Sequence, residues 1–428
     1  KFPHSLGLIY SAFTQYLGFK VNSGEYKLMG LAPYGEPKYV NLIFEKLISQ
    51  SNDGSFKLNM KYFCFPYQNQ MVNENFCKLF GMDVKLEDED FLTKHLDIAS
   101  SIQRVLEIML VKIVNNIYEE YQIKNLCMAG GVALNCVANS KILNETPIDN
   151  IWIQPAAGDS GGAVGAALGF WYDHLNNARK YIKKDTMKYA LLGTKFSSDE
   201  IETTLLEQKA VYKKIKRNDL YKTVSKYLAK GNIVGWFQDK MEFGPRALGN
   251  RSILADARNP EMQTILNLKI KKRESFRPFA PIIKYEKLQD WFDWENESPY
   301  MLFTASVNKN KKIKSKSNHY GLKKLHEKRS FIQSVTHVDY SARIQTVSSE
   351  SNPKLYQLLD EFENLTGSPV LINTSFNQRG EPIVNSPNDA FECFMRTEMD
   401  LLIIENFILS KNEQTIDQTL FETEFEKD

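Results

Sequence analysis

Residues 126–169 read LCMAGGVALNCVANSKILNETPIDNIWIQPAAGDSGGAVGAALG. Twice in this stretch a short apolar run ends in glycines and is followed by small, helix-compatible residues. Leu126–Ala129 runs into Gly130-Gly131 and a helical stretch from about Val132 to Leu143. Ile151–Ile153 is followed by Gly158-Asp159-Ser160-Gly161-Gly162 and small residues to Gly169. Two successive strand, glycine turn and helix units predict an α/β domain with its site at the strand ends. Upstream, Ile102, Leu106, Met109, Ile113 and Ile117 recur at three-to-four spacing, which predicts a long amphipathic helix over 98–121.

Glycine at such junctions lets a phosphate approach the backbone, and the helix start offers free N–H donors. The Asn135 amide could read a ribose or base. In the second turn a carboxylate sits among the glycines and would repel a phosphate unless a cation lay between them, so Asp159 is a candidate metal ligand. The alternatives are glycines that serve only tight turns and an Asp159 that caps the following helix.

Outward from this stretch, 428 residues predict two domains. With 43% hydrophobic and 25% charged residues the composition is that of an ordinary globular chain. No apolar run reaches the length of a membrane span. Lys1-Phe2-Pro3-His4 lacks the zones of a secretory signal, and the missing initiator Met suggests a start within a longer protein. Five cysteines without CxxC spacing predict free thiols in a cytoplasmic protein. A net charge of +2 says nothing about partners. The locally basic segment 309–329 (Lys309, Lys311, Lys312, Lys314, Lys316, Lys323, Lys324, Lys328, Arg329) has little aromatic interleaving. It reads as a mobile, solvated insertion in preference to a nucleic-acid contact.

Charged residues around Lys183-Lys184-Asp185 interrupt the pattern between Asn176 and Ser198, where a domain boundary is expected. Beyond it, strands at 233–237, 369–373 and 401–404 and helices at 219–230, 355–365 and 388–396 predict a mixed α/β sheet without a clean parallel rhythm. After Asn412 a loose tail is expected.

The second half is rich in arginines on Gly/Pro turns. Arg246 and Arg251 lie in EFGPRALGNRS (242–252), Lys271, Arg273 and Arg277 precede Pro278, and Arg343 and Arg379 follow. Guanidinium forks bind phosphate at two points, so several held on rigid turns suit a polyanion. Asn373, Ser375 and Asn377 add neutral groups for a small amide. Surface ion pairing is the alternative for any single arginine. There is no GxxxxGK[ST], no GxGxxG and no GxSxG, and the six histidines show no HExxH or HxxxH spacing. His4 reads as the cap of the first helix or as a neighbour of a site.

The segments FPHSLGLIYSAFTQYLGF, SGEYKLMGLAPYG, GGVALN, PAAGDSGGAVGAAL, EFGPRALGNRS, IKKRESFRPFAPI, VTHVDYSARIQT and NTSFNQRGEPIV resemble, in order and from residue 2 to about 409, the NodU/CmcH-type O-carbamoyltransferases. That resemblance implies the C-terminal portion of an actin-like (ASKHA) transfer domain over 1–195. A mixed α/β YrdC-like domain over 196–412 and the tail 413–428 would follow. It implies that carbamoyl phosphate and ATP give carbamoyl-adenylate, whose carbamoyl group passes to a hydroxyl of a small molecule or sugar. Arg246, Lys271, Arg273, Arg343 and Arg379 would be catalytic, with Arg251, Asn373 and Ser375 binding substrate. Glu25, Lys27, Gly130, Gly131, Asn135, Gly158 and Gly161 would hold the adenylate. Asp159 would bind a divalent metal, iron, or else magnesium with ATP. A homodimer is an option, and neither membrane nor nucleic acid is an expected partner. The family's upstream half, with its histidine-rich metal motif, has no counterpart here, so activation is expected to survive more readily than transfer. The rival readings are a tRNA threonylcarbamoyl-adenylate enzyme and a non-catalytic remnant.

Overall fold

The computed structural model describes residues 1–182, 185–314, 319–421, 423 and 425. Lys183, Lys184, Lys316 and the last part of the expected tail lie outside the described residues. The chain divides into two compact units, Lys1–Gly158 with the described part of 315–327, and Asp159–Lys314 with Lys328 onward.

The first unit is built on the helix Thr93–Tyr121, whose buried face carries Ile98, Ile102, Leu106, Met109 and Leu110. It begins five residues before the predicted start. Its first turn is too polar to show periodicity and is closed by His95, whose Nδ1 accepts from Leu92 N–H at 3.0 Å. A cluster of rings (Phe13, Tyr16, Phe76, Phe80) packs edge to face at 5.0–5.6 Å and fills the space beside helix Leu6–Tyr16. Two short strands, β1 (Ile48–Gln50) and β2 (Phe56–Leu58), pair antiparallel. The predicted strands β3 (Asn125–Met128) and β4 (Asn150–Ile153) pair in parallel. The helix expected from Val132 is a 3₁₀ turn, Gly131–Leu134, followed by an α-helix, Cys136–Glu145. Asn135 divides them: its side chain caps the α-helix by accepting from Ala138 N–H at 3.0 Å.

The second unit holds one ten-stranded mixed sheet. Its strands are β5 (Lys213–Lys214), β6 (Val234–Phe237), β7 (Arg251–Asp256), β8 (Ala280–Lys284), β9 (Phe292–Asp293), β10 (Phe303–Val307), β11 (Ser341–Val347), β12 (Val370–Ser375), β13 (Leu401–Ile404) and β14 (Phe407–Ser410). They lie in the order 5-14-13-6-7-12-8-11-10-9. β6 with β13 and β8 with β11 are parallel, and the other neighbours are antiparallel. Every residue of β6, β7, β8 and β13 is buried, so both faces of the central strands are covered. Helices Arg217–Ala229 and Pro353–Thr366 supply Leu220, Val224, Leu228, Leu355, Leu358 and Phe362 to the core over Val234, Trp236, Leu254 and Leu371.

Within the expected tail, Gln418–Phe421 forms a helical turn and the Phe421 ring packs on Phe391 at 5.8 Å. The basic segment is not a free insertion throughout: within the first unit, Tyr320 donates its hydroxyl to Asp97, with the Lys38 ammonium 5.5 Å from the ring centre.

Candidate active site

The topology of the second unit gathers its arginine-rich loops. β6 runs antiparallel to β7, β12 antiparallel to β7 and β8, and β11 parallel to β8. The loop before β7 (238–250), the loop before β8 (271–279), the start of β11 and the loop after β12 (376–381) therefore all leave the sheet at one end. Arg246, Lys271, Arg273, Arg343 and Arg379 belong to these segments and are far apart in sequence.

At the centre lies Lys271, 2% exposed. Its ammonium donates to Asn377 O and Asn377 Oδ1, each at 2.8 Å, to Ser375 Oγ at 3.1 Å and to Ser375 O. No carboxylate is among these partners, and burial followed by the nearby Arg273 charge pushes its pKa well below the ordinary lysine range. Ser375 Oγ in turn donates to Asn377 Oδ1 at 2.7 Å, and Asn377 Nδ2 donates to Glu381 O at 2.6 Å. Arg379 N–H donates to Lys271 O at 3.2 Å, and its guanidinium lies 3.9 Å from Glu274. Arg273 Nε donates to Asn267 Oδ1 at 2.8 Å. Lys271, Ser375 and Asn377 thus form one nest, with the Arg273 charge near the ammonium and Arg379 tied to Lys271 through the backbone.

Arg251 is placed differently. It is fully buried against the Phe237 ring at 3.5 Å, and its fork donates to the carbonyls of Gln238, Asp239, Asn250 and Thr194 at 2.9–3.3 Å. Burial lowers its pKa to about 10. A guanidinium so engaged ties these loops together. Asn373, 1% exposed, donates to Gln345 Oε1 at 2.6 Å and to Ala247 O at 3.3 Å, while Gln345 donates to Leu248 O at 2.7 Å. These two amides brace the segment behind Arg246.

Glu242 opens the EFGPRALGNRS segment, where no sequence motif assigns it a role. It is buried, and its Oε1 accepts from the N–H groups of Leu248, Asn250 and Arg251 at 2.6, 2.8 and 3.4 Å. Burial raises its pKa. A carboxylate just ahead of a Gly-Pro turn is the signal that could have marked it, since the turn's N–H groups need an acceptor. The loop carrying Arg246 is wrapped around this one oxygen.

In the first unit, Glu25 accepts from Ser11 Oγ at 2.6 Å and Asn22 N–H at 3.0 Å, and Lys27 is 1% exposed, 6.0 Å from the Phe19 ring centre. Asn135 exchanges hydrogen bonds with Gln103 at 3.0 and 3.2 Å in addition to its cap. Gly130 has φ +92°, and a Cβ on Gly130 or Gly131 would meet nothing within 4 Å, so this turn faces open space. A cleft of about 440 Å³ adjoins it, lined by His4, Met128, Ala129 and Val132. Ser5, not His4, caps the first helix by accepting from Leu8 N–H at 3.3 Å, while His4 Nδ1 accepts from Leu58 N–H at 3.1 Å.

Gly158 closes the first unit, and Asp159 and Gly161 belong to the second. Asp159 is exposed and makes no side-chain cap to the helix Gly161–Gly169. Among the described residues no group of three or more His, Cys, Asp or Glu is arranged to hold a metal ion. One exposed carboxylate does not compose a resident metal site.

The chain belongs to the carbamoyltransferase family: residues 1–168 match the family described as Carbamoyltransferase N-terminus and residues 225–411 the family described as Carbamoyltransferase C-terminus. This is a family of enzymes that transfer carbamoyl groups. An uncharacterized protein of Synechocystis is 54% identical over 96% of this chain and 68% of its own length. The nodulation protein NolNO of Sinorhizobium fredii is 34% identical over 96% of this chain and 56% of its own. The 3'-hydroxymethylcephem-O-carbamoyltransferase of Streptomyces clavuligerus is 33% identical over 65% of this chain and 47% of its own. The chain therefore spans about half to two thirds of the length of these relatives. No helix among the described residues is long and apolar enough to cross a membrane.

Proposed function

We propose that the second unit activates a carbamoyl donor with ATP, and that the carbamoyl group then passes to a hydroxyl of a small molecule or sugar at the glycine turns of the N-terminal domain. The observation that carries this reading is the nest around Lys271. A desolvated ammonium held by Ser375 and Asn377, with Arg273 and Arg379 beside it, suits a phosphorylated donor and the triphosphate it meets. The similarity to the Streptomyces 3'-hydroxymethylcephem-O-carbamoyltransferase supports an alcohol acceptor. On this reading the two domains are actin-like and YrdC-like.

The atoms balance in three steps. Carbamoyl phosphate takes up water and releases inorganic phosphate, leaving carbamate. A carbamate oxygen attacks the α-phosphorus of ATP, the bond to the β-phosphate oxygen breaks, and pyrophosphate leaves. The acceptor hydroxyl then attacks the carbamoyl carbon, loses its proton and expels AMP. Cations fixed before reaction stabilise the charge that develops on the phosphates without reorganising. A divalent metal at Asp159 would need donors beyond the described residues, and none of these steps uses one.

The test is pyrophosphate release from ATP that depends on carbamoyl phosphate. Arg246→Ala and Arg379→Ala should each lose about 2–4 kcal/mol of transition-state stabilisation, roughly 30-fold to 1000-fold in kcat/KM. Unchanged rates in both variants would remove these arginines from the reaction.

A further inference from the structure

The opposite end of the same strands carries a second cleft, of about 500 Å³. Its walls include Arg258, just beyond the end of β7, and Ser368, just before β12 begins. Arg251 is the first of the six residues of β7, so roughly 17 Å of strand separates it from Asp256 at this end. Lys311, Lys328, Trp291 and Phe331 complete the lining that matters here, and no carboxylate is among the lining residues.

The charges are built in. Arg258 is already neutralised by Asp256, with contacts of 3.0 and 2.6 Å. Lys311 lies 4.2 Å from the centre of the Trp291 ring, and Lys328 is exposed. Among the described residues neither lysine makes an ion pair. Both stand on arms that the backbone ties together, Phe331 N–H to Lys311 O at 3.1 Å and Ile313 N–H to Arg329 O at 2.6 Å. The far arm is tied to the turn after β7 by Ser334, which donates to Ala257 O at 3.3 Å through its N–H and to Asn259 O through its hydroxyl. Two lysines that make no ion pair among the described residues thus line one cavity from a braced backbone, an arrangement that an anion would complement.

The other walls narrow the ligand. The C-terminal turn of helix Pro353–Thr366 lines the cleft, and helix-end carbonyls favour a donor and disfavour a bare anion. Among the described residues, Ser368 Oγ is buried there with no hydrogen-bond partner. The exposed Phe331 ring offers a flat apolar face suited to a sugar ring, while Trp291 is buried beneath the Lys311 ammonium. We propose that this cleft binds a hydroxylated phosphate ester, the phosphate between Lys311 and Lys328 and the hydroxyls toward the helix end.

Calorimetric titration tests this with glucose 6-phosphate, glucose, inorganic phosphate and a single-stranded oligonucleotide as probes. The parent chain should bind glucose 6-phosphate but not glucose. The affinity should fall about tenfold or more in Lys311→Glu/Lys328→Glu and in Lys311→Met/Lys328→Met, and stay unchanged in Arg379→Ala. The Met pair, which brings in no new charge, guards against a folding defect in the Glu pair. Absent binding, or binding unchanged in both double variants, overturns the proposal. Inorganic phosphate bound as tightly as the ester would overturn the hydroxyl part. An oligonucleotide bound more tightly than the ester and lost in the double variants would overturn it in favour of a nucleic-acid surface.

Discussion

Glu242→Ala tests the organisation of the site most directly. One carboxylate oxygen accepts three backbone N–H groups, at 2.6, 2.8 and 3.4 Å, in a position that is 5% exposed. Removing it leaves three buried donors without their acceptor, at about 1–3 kcal/mol each. The third contact is long and the loop can relax, so the total is roughly 3–6 kcal/mol, a large share of ordinary domain stability. With a urea slope on the order of 3 kcal/mol per molar, the midpoint should fall by about 1–2 M, read as the fluorescence of buried Trp236 on the neighbouring strand. Glu242→Gln keeps the accepting oxygen and should stay within about 1–2 kcal/mol of the parent. The two differ with pH. Burial raises the folded pKa of Glu242, so above the unfolded value the native state holds a proton longer than the unfolded chain does. This group's contribution therefore declines as pH rises through that window, and the parent should lose ground to the Gln variant. Equal urea midpoints for the parent and Glu242→Ala would refute the claim that this oxygen holds the Arg246 loop.

Three further outcomes are expected. Lys271→Ala should reduce carbamoyl-phosphate-dependent pyrophosphate release about 100-fold to 1000-fold, and Lys271→Arg should not restore it, because a planar fork does not fit acceptors converging on one ammonium. Lys411 is bonded to Phe394 O and Thr397 O, and burial lowers its pKa to about 8. Between pH 8 and its unfolded value near about 10.4 the unfolded chain binds more protons, so stability rises with pH there. In urea titrations across that range, Lys411→Met should lack this rise, on the order of 1–2 kcal/mol after allowing for partial exposure. Gly35→Ala would drive a Cβ into the Leu96 carbonyl and to 2.6 Å from Asp97 N, both backbone atoms of the central helix. A loss of about 3 kcal/mol or more in thermal or urea unfolding should follow.

Much of the fold was legible because its signals are local. Apolar runs broken by glycine located β3 and β4, and β13 was read from Leu401 to Ile404, where it lies. Helices Arg217–Ala229, Pro353–Thr366 and Pro387–Arg396 fell within two residues of their predicted ends. β7, β8 and β11 were missed: β7 and β8 are buried on both faces, so neither shows the alternation that marks a half-exposed strand, and β7 opens on an arginine. Site chemistry was legible as residue types, arginines and small polar groups on Gly/Pro turns, but not as roles. Arg251 and Arg379 look alike in the sequence, yet one is spent on backbone carbonyls and the other stands beside Lys271.

The sequence by itself determined the family and the mixed α/β class, since ordered motifs, apolar runs and glycine turns carry their signal locally. Tertiary structure alone decided which groups meet. Lys271 and Asn377 are 106 residues apart, and the crossing strands of the mixed sheet bring them to 2.8 Å. It also decided which charges are consumed by the scaffold, because that depends on which carbonyls burial leaves in need of a donor.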